Sequence, residues 1–414
     1  MPTGQPAKNV QVIYKTEGAT YGTKAAAAAP SEVVRIHAGP SFSMERGWIT
    51  DPEVRRDGQR SMARLGMKEV TGGYAGTLSV GTWNTFLSYL FRHAWAADVV
   101  VTYNNGLPLT SIEVNATNQI TMVGTTTLLA SGLRVGDVFR LASMSTPAND
   151  NVNCVVKAID ATGKIATILG SPLTIQIADA DCTLTIKKKL KNALGTPADP
   201  MVRSSYTFEE RYDDNDESKM ITGVRIGSLK VAFTPTGVVE LSWGLKAQDL
   251  AIEPTGTSPY FLTPTEYTSI GLIAADATIY IAGAAIAVVT GGELTFDIGL
   301  SGIDCVGSLK TPDLFEGAMA VSGQITVVST AFTASHLARF LAETDNVELS
   351  LMFVEPETTP TDFLHIFVPR LKYAGVTMDF GGEGPLVETI PVKAGCKATT
   401  TGYDSVVATI STSA

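Results

Sequence analysis

One pattern of apolar and polar residues occurs twice along the chain. Tyr74 to Val80 alternates small and apolar side chains, as a strand does. Thr82 to Trp95 then spaces its apolar residues three and four positions apart, as an amphipathic helix does. Val321 to Leu341 repeats this strand-to-helix switch without a gap, with identical residues at Gly76/Gly323, Val80/Val327, Ser88/Ser335, Leu90/Leu337 and Arg92/Arg339. The shared register and the shared change of period predict an internal duplication. The helix faces place Leu90 and Phe91, and Leu337 and Phe340, in the core of the repeats.

A second pair of matching strands locates an insertion. Leu229-Lys-Val-Ala232 resembles Leu371-Lys-Tyr-Ala374, but the first follows Arg92 by 137 residues and the second follows Arg339 by only 32. The first repeat therefore carries about 105 extra residues. These contain short β-forming runs separated by Asn, Asp and Gly, a spacing that is typical of a small β-barrel or sandwich.

These patterns predict a mainly β protein, built as a β-sandwich or barrel with one amphipathic helix per repeat. The predicted parts are an N-terminal arm (1–30), a first repeat in two pieces (31–103 and 204–252), an inserted small β domain (104–203) and a second repeat (253–414). The arm has too few apolar side chains to fold alone, so we expect it to be loose or docked on a partner.

Composition narrows the possible functions. The chain has 414 residues, of which 44% are hydrophobic and 17% charged. This hydrophobic content is sufficient to form hydrophobic cores. Its net charge of −10 argues against a protein that grips nucleic acid by its phosphates. The most apolar segment, Ala277 to Val289, is too short to cross a bilayer, so no membrane insertion is predicted. The four cysteines have no zinc-site spacing, and a disulfide is not expected.

The most suggestive surface feature is the segment Arg46 to Lys68, which mixes many charges and has little periodicity. It is predicted to be a long loop, and such loops are often functional. One interpretation is a solvated surface loop; the other is a contact with a second copy of the chain, in which its arginines pair with the acidic stretch Glu209 to Glu217. The contact candidates are Arg46, Trp48, Arg55, Arg56, Arg60 and Arg64 on one side and Glu209, Glu210, Asp213 and Asp214 on the other.

No combination of residues predicts catalysis. The four histidines are scattered, and none has an acidic neighbour at metal-ligand spacing. Gly381-Gly-Glu-Gly384 does not open a helix after a strand, so a hairpin turn is favoured over a phosphate loop. The sequence therefore predicts neither an enzyme nor a site for a metal or cofactor.

The order of elements resembles a known family. An arm with the sequence Tyr14-Lys-Thr-Glu-Gly-Ala-Thr-Tyr-Gly-Thr23 precedes a β-rich domain with a long loop and one amphipathic helix. This is similar to the major tail tube proteins of long, flexible, non-contractile-tailed bacteriophages. The resemblance covers the arm and both repeats but not the insert. It implies a structural virion protein whose stacked rings form the channel for genome delivery.

The resemblance also implies partners. In the family a sheet closes into a barrel around the channel, and the loop and arm join one ring to the next. Two domains per chain imply rings of three chains with pseudo-sixfold symmetry, with the insert as a decoration outside the tube. Tape measure, tail terminator and distal tail proteins are the expected partners, with assembly in the host cytoplasm and DNA passing without specific binding. The alternative is a surface- or carbohydrate-binding virion protein that forms no tube.

Overall fold

The computed structural model describes residues 10–28, 30–37, 41–53, 56–103, 111–179, 181–213, 216–253, 256–286, 288–329, 336–343, 347–379, 384–396, 403 and 405–411. The protein is mainly β, as predicted, with large antiparallel sheets and two short helices in these residues. The elements form three groups, of which the second is inserted into the first along the chain.

The first group surrounds the inserted module in the sequence. We call residues 10–98 and 206–253 unit A. Its elements are β1 (Val10–Thr16), β2 (Glu32–Val34), β3 (Ser43–Ile49), β4 (Arg64–Thr77), α1 (Asn84–Leu90), β14 (Tyr206–Tyr212), β15 (Glu217–Phe233), β16 (Glu240–Ala247) and β17 (Asp249–Glu253).

The second group forms an eight-stranded sheet of its own, which we call the inserted module. Its elements are β5 (Val99–Thr102), β6 (Ser111–Ala116), β7 (Gln119–Val123), β8 (Val138–Ala142), β9 (Cys154–Ile159), β10 (Ile165–Ile168), β11 (Gln176–Asp179) and β12 (Thr183–Ile186). The strand β13 (Lys189–Lys191) returns from it and pairs with the last strand of the chain.

The third group, residues 256–411, is called unit B. Its elements are β18 (Thr278–Ile281), β19 (Ala284–Ala285), β20 (Val289–Asp297), β21 (Ser301–Gly302), β22 (Leu314–Phe315), β23 (Ala320–Val328), α2 (His336–Leu341), β24 (Val347–Glu355), β25 (Asp362–Tyr373), β26 (Thr377–Asp379), β27 (Val387–Ala394) and β28 (Val407–Ser411).

Units A and B have the same strand pairings in the same order. In unit A, β4 pairs with β16, β16 with β15, and β15 with β14 and β17. In unit B, β23 pairs with β27, β27 with β25, and β25 with β24 and β28.

The registers of these pairings also correspond. Gly76 lies opposite Leu241, which lies opposite Val231. Gly323 lies opposite Val392, which lies opposite Tyr373. In both units, following the paired residues from the aligned glycine across two strands leads to the third residue of the Leu-Lys-x-Ala segment.

The two units share one sheet and one core. The end of β15 pairs with β20, with Leu229 opposite Phe296 and Val231 opposite Leu294. This junction gives a continuous order β3-β4-β16-β15-β20-β23-β27, after which β25 and β26 follow as one irregular strand. Buried side chains from both units form a single hydrophobic cluster, so neither unit stands alone.

Two expectations about the first part of the chain are corrected. The described part of the arm is not loose, because β1 pairs with β14 and β2 and buries Val12, Ile13 and Tyr14 within its own chain. The segment Arg46 to Lys68 is not one long loop, because β3 and β4 extend into it and form a hairpin, with residues 50–53 and 56–63 described between them. β3 is largely exposed and β4 is exposed at Arg64, Leu65 and Glu69, so this segment lacks the apolar alternation that marks a half-buried strand.

The inserted module packs against unit B. The module has its own core, which includes the buried free cysteines Cys154 and Cys182. A separate apolar cluster joins Val138 of the module to Met352 and Phe363 of unit B. The Arg140 guanidinium donates a hydrogen bond to the carbonyl oxygen of Thr361 of unit B. This interface is a mixed apolar and polar contact and not a flexible tether.

Candidate assembly surface

The hairpin of β3 and β4, with its turn, carries a group of exposed large apolar side chains. Trp48 is 73% exposed and lies across the ladder from Leu65, which is 45% exposed. The other members are Met44, Ile49 and Met62. Large apolar side chains clustered on one surface are typical of sites that contact other proteins.

A groove of about 650 Å³ runs between this hairpin and the segment that contains β21 and β22. Its lining includes the charged residues Glu45, Arg46, Lys68, Glu69, Lys246 and Asp304. The Lys68 backbone N–H donates to the carbonyl oxygen of Leu309 at 3.0 Å, which holds the two segments together. The groove thus combines charges of both signs with the apolar side chains of Trp48, Ile49 and Leu314.

One ion cluster fixes the base of the hairpin. Lys68 Nζ lies 2.7 Å from one oxygen of Asp249, and Lys310 Nζ lies 2.5 Å from the other. Burial acts to raise the pKa of Asp249, but hydrogen bonds and the charges of Lys310 and Lys68 outweigh it, so this pKa lies below its usual value. Asp249 therefore stays ionised and bridges unit A to the β21/β22 segment.

The structure places the basic contact candidates on the hairpin. Arg46 donates from its Nε to the carbonyl oxygen of Gly66 across the ladder at 2.9 Å, so it supports the hairpin itself. Arg56 and Arg60 lie in the turn and Arg64 opens β4, and all three are exposed. Arg55 and Asp214 lie outside the described residues.

The acidic contact candidates lie elsewhere and are mostly buried. Glu209 is fully buried and accepts hydrogen bonds from Ser218 Oγ at 2.7 Å and from the backbone N–H of Phe261 at 2.9 Å. Glu210 is 1% exposed and accepts one from Tyr74 Oη at 2.8 Å. Both carboxylates are bound within their own chain, so we leave them out of the surface considered for contact. Asp213 is exposed.

The two helices differ in their surroundings. In α1, Leu90 is fully buried and its neighbour Phe91 is 2% exposed, as predicted. In α2, Leu337 is half-buried and Phe340 is 36% exposed, so the prediction that they are core residues does not hold in the single chain. The physical reason is that unit B covers α1 and buries four of its residues, whereas none of the described residues of α2 is buried.

The sheet ends in two strand edges that sequence reasoning missed. Strand β26 pairs with β27 on one side, and within the described chain no strand pairs with it on the other. At the opposite end, β3 pairs only with β4 in the part of the chain that the structure describes. The apolar pattern of a sequence does not predict which strands lie at an edge, because that depends on which strands pair. The unpaired N–H and C=O groups of an edge strand can form hydrogen bonds with a strand of another chain.

Groups that could support chemistry are not gathered in the described residues. They contain no cluster of three or more His, Cys, Asp or Glu side chains that could hold a metal ion. His336 lies beside Tyr373 Oη at 3.0 Å, and burial lowers its pKa. No helix in the described ranges is long and apolar enough to cross a membrane.

Comparison with known families decides between the remaining interpretations. The family model for phage tail tube proteins matches residues 8–394, which is nearly the whole chain. The chain belongs to the phage tail tube protein family. A search of curated proteins gave no match. The resemblance found in the sequence is thereby confirmed.

Membership of the phage tail tube family has direct consequences. The protein is a structural component of the tail of the virion, and its family implies a non-enzymatic role. Tail tube proteins assemble with copies of themselves into a tube and associate with other tail proteins. The exposed hairpin and the open strand edges are therefore candidate assembly surfaces.

Proposed function

We propose that this protein forms stacked rings that line the DNA channel of a long, non-contractile phage tail. The observation that supports this most directly is the open edge of β26, which lies at the other end of the sheet from the edge strand β3. In a ring, β26 of one chain would pair with the β3 edge of the next chain. The sheet would then close around the axis and leave no edge exposed.

The junction inside the chain provides a template for this contact. There, β15 of unit A pairs with β20 of unit B. By the correspondence of the ladders, β25 and β26 take the place of β15. β3 of the next chain takes the place of β20, because β3 pairs with β4 as β20 pairs with β23. Each ring would then contain alternating units A and B joined by similar pairings.

The ring would contain three chains. The two units have matching strand pairings, so we propose that they are duplicated tube domains, and three chains would supply six such domains. Each chain has one inserted module, residues 99–186, attached to the side of unit B as a decoration. The inner wall would be pseudo-sixfold and the outer wall threefold.

Successive rings would meet through the hairpin of β3 and β4. Its exposed Trp48, Ile49 and Met62 supply apolar area, while Arg56 and Arg60 supply charge. Repeated head-to-tail contacts of this kind generate a tube from identical subunits. With a net charge of −10, the tube would pass DNA without trapping its phosphates.

Electron microscopy of the purified protein tests this proposal. We expect hollow tubes of stacked rings in negative stain, formed without any other protein. Assembly in the host cytoplasm, and binding of tape measure, tail terminator and distal tail proteins at the tube ends, are part of the same proposal. A folded chain that forms only discrete particles at every concentration would favour the surface-binding alternative.

A further inference from the structure

We infer that helix α2 is one half of a contact site that the β3/β4 hairpin of a second copy completes, with Glu69 of that copy beside Arg339. The inference rests on the proposed ring, and it names the residues that join neighbouring chains within it. It follows from the difference between α1, four of whose residues are buried, and α2, none of whose described residues is buried.

The contacts between α1 and unit B provide an example of a helix whose contact site is fully occupied. Tyr89 Oη donates a hydrogen bond to Glu316 Oε1 at 2.8 Å, and Arg92 Nη1 donates to the carbonyl oxygen of Gly317 at 3.1 Å. Phe91 packs on Phe296 with ring centroids 6.1 Å apart. All three partners belong to unit B, in β20 and in the segment that leads into β23. Unit B thus covers α1 with one carboxylate, one carbonyl group and one aromatic ring.

The alignment of the repeats identifies the corresponding residues. The gapless match of β4 and its helix with β23 and its helix relates Tyr89 to His336 and Arg92 to Arg339. Continued towards the N-terminus, the same alignment relates Glu316 to Glu69, so both repeats have a glutamate at this position. The hairpin of β3 and β4 is thus the counterpart in unit A of the segment that covers α1.

The exposed side of α2 has the properties of an uncovered contact. Leu341 is 71% exposed and Phe340 is 36% exposed, although both lie on a helix whose counterpart is buried. Arg339, Lys372 and Tyr373 line a small depression beside them. Glu343 lies in the same depression, so its charge is mixed. The hairpin presents the exposed carboxylate of Glu69, which can pair with Arg339, and the apolar side chains of Trp48 and Leu65, which can cover Phe340 and Leu341.

The position of α2 relative to the sheet edge supports the same partner. Tyr373 lines this depression and ends β25, and β26 with its open edge continues along the same neighbour β27. A second copy that pairs β3 with this edge brings its β3/β4 hairpin to α2. The strand pairing and the helix contact are therefore parts of one interface between copies.

Cross-linking tests the contact. The double variant Glu69→Cys/Arg339→Cys would be made with Cys305→Ser and Cys396→Ser, because Cys305 and Cys396 are exposed while Cys154 and Cys182 are buried. Tubes of this variant would be treated with a short bismaleimide and separated in denaturing gels. We expect covalent products of two and three chains, and no longer products, because a ring of three closes on itself. Each single-cysteine variant serves as a control and should give no product of three chains.

Charge exchange provides a second measurement. We expect Arg339→Glu alone and Glu69→Arg alone to abolish tubes, and the double variant to restore them. Glu240→Arg, at an exposed position on β16, is the matched control and should assemble normally. Tubes of the cysteine variant that give no cross-link, together with normal tubes from both single reversals, would overturn the inference and leave the tube function intact. A folded parent chain that forms neither tubes nor cross-links would overturn both.

Discussion

At the residue scale, some positions have the same residue type in both repeats because the structure requires it, whereas others have the same residue type in different surroundings. A Cβ atom on Gly76 would lie 2.5 Å from the carbonyl oxygen of Arg35, and one on Gly323 would lie 2.0 Å from that of Glu293. Both distances are shorter than real Cβ contacts, so each site requires glycine because a neighbouring backbone segment passes too close. Leu90 and Leu337, in contrast, share a residue type but not an environment.

Leu90→Ala and Leu337→Ala should therefore have unequal effects on stability. Removing the fully buried Leu90 side chain leaves a cavity and should lower the free energy of unfolding by about 2–5 kcal/mol. Leu337→Ala should cost about 1 kcal/mol or less in the unassembled chain, because Leu337 already contacts solvent there. Urea denaturation of unassembled protein measures both, and equal losses would show that α2 is packed like α1.

A buried histidine should make the stability depend on pH. His365 is fully buried beside Ser350 Oγ at 2.8 Å, and burial lowers its pKa to about 3. As the pH falls, the histidine of the unfolded chain, with a pKa of about 6.5, is protonated before the buried one. The contribution of His365 to stability is therefore fully present above pH 6.5 and is lost as the pH falls from there towards 3.

Between pH 7 and pH 5 this loss should amount to about 1–2 kcal/mol in the free energy of unfolding. Urea denaturation of the unassembled chain at both pH values measures it. His365→Gln should flatten the dependence over this range. The same slope in the variant and the parent would assign the effect to other groups.

At the element scale, the hairpin of β3 and β4 lies at one end of the large sheet. Neither strand needs its outer residues for the core, since Trp48, Ile49 and Leu65 are all exposed. Antiparallel pairing alone keeps the hairpin extended, with the ion pair of Lys68 and Asp249 at its base. An element of this kind can change its surface without loss of the fold, which suits a role in contact between rings.

Replacing apolar residues of the hairpin should block tube growth without unfolding the chain. Ile49→Ser/Met62→Ser removes side chains that are 62% and 95% exposed, so the stability of unassembled protein should change by no more than about 0.5 kcal/mol. We expect rings without long tubes in negative stain. Ile177→Ser, at an 83% exposed position of the inserted module, is the matched control and should leave tubes normal. Full-length tubes from the double variant would remove the hairpin from the contact between rings.

At the scale of the whole molecule, the inserted module makes the chain asymmetric. It packs on unit B through Val138, Met352 and Phe363, and through the hydrogen bonds that Arg140 and Asn153 donate to the Thr361 carbonyl oxygen. Unit A has no second module, so two similar units have different outer surfaces. The interface also means that removal of the module would expose apolar side chains of unit B.

Cryo-electron microscopy of tubes should show three projections of module size on each ring. Replacing residues 99–186 with a Gly/Ser linker, together with Met352→Thr to limit the exposed apolar area, should give narrower tubes without projections, because both strand edges lie outside the module. Six projections per ring would rule out a ring of three chains. A folded, soluble deletion variant that cannot assemble would show that the module takes part in assembly.

The sequence by itself determined the features that depend on local period and on repetition. The mainly β fold, the strand-to-helix switch and the burial of Leu90 and Phe91 follow from apolar spacing, because side chains on one face of an element share one environment. The register of the Leu-Lys-x-Ala segments also follows, since a one-residue slip would turn every side chain to the wrong face. The family resemblance used the same information, namely the order of elements.

Only the tertiary structure decided which of these elements are covered and by what. Glu209 and Glu210 look like a solvated acidic run, yet long-range pairing buries them against Phe261 and Tyr74. Leu337 and Phe340 look like core residues, yet they lie at the surface of the single chain. The physical reason is that a side chain's burial depends on segments distant in the sequence or in another copy of the chain, and local periodicity contains no information about either.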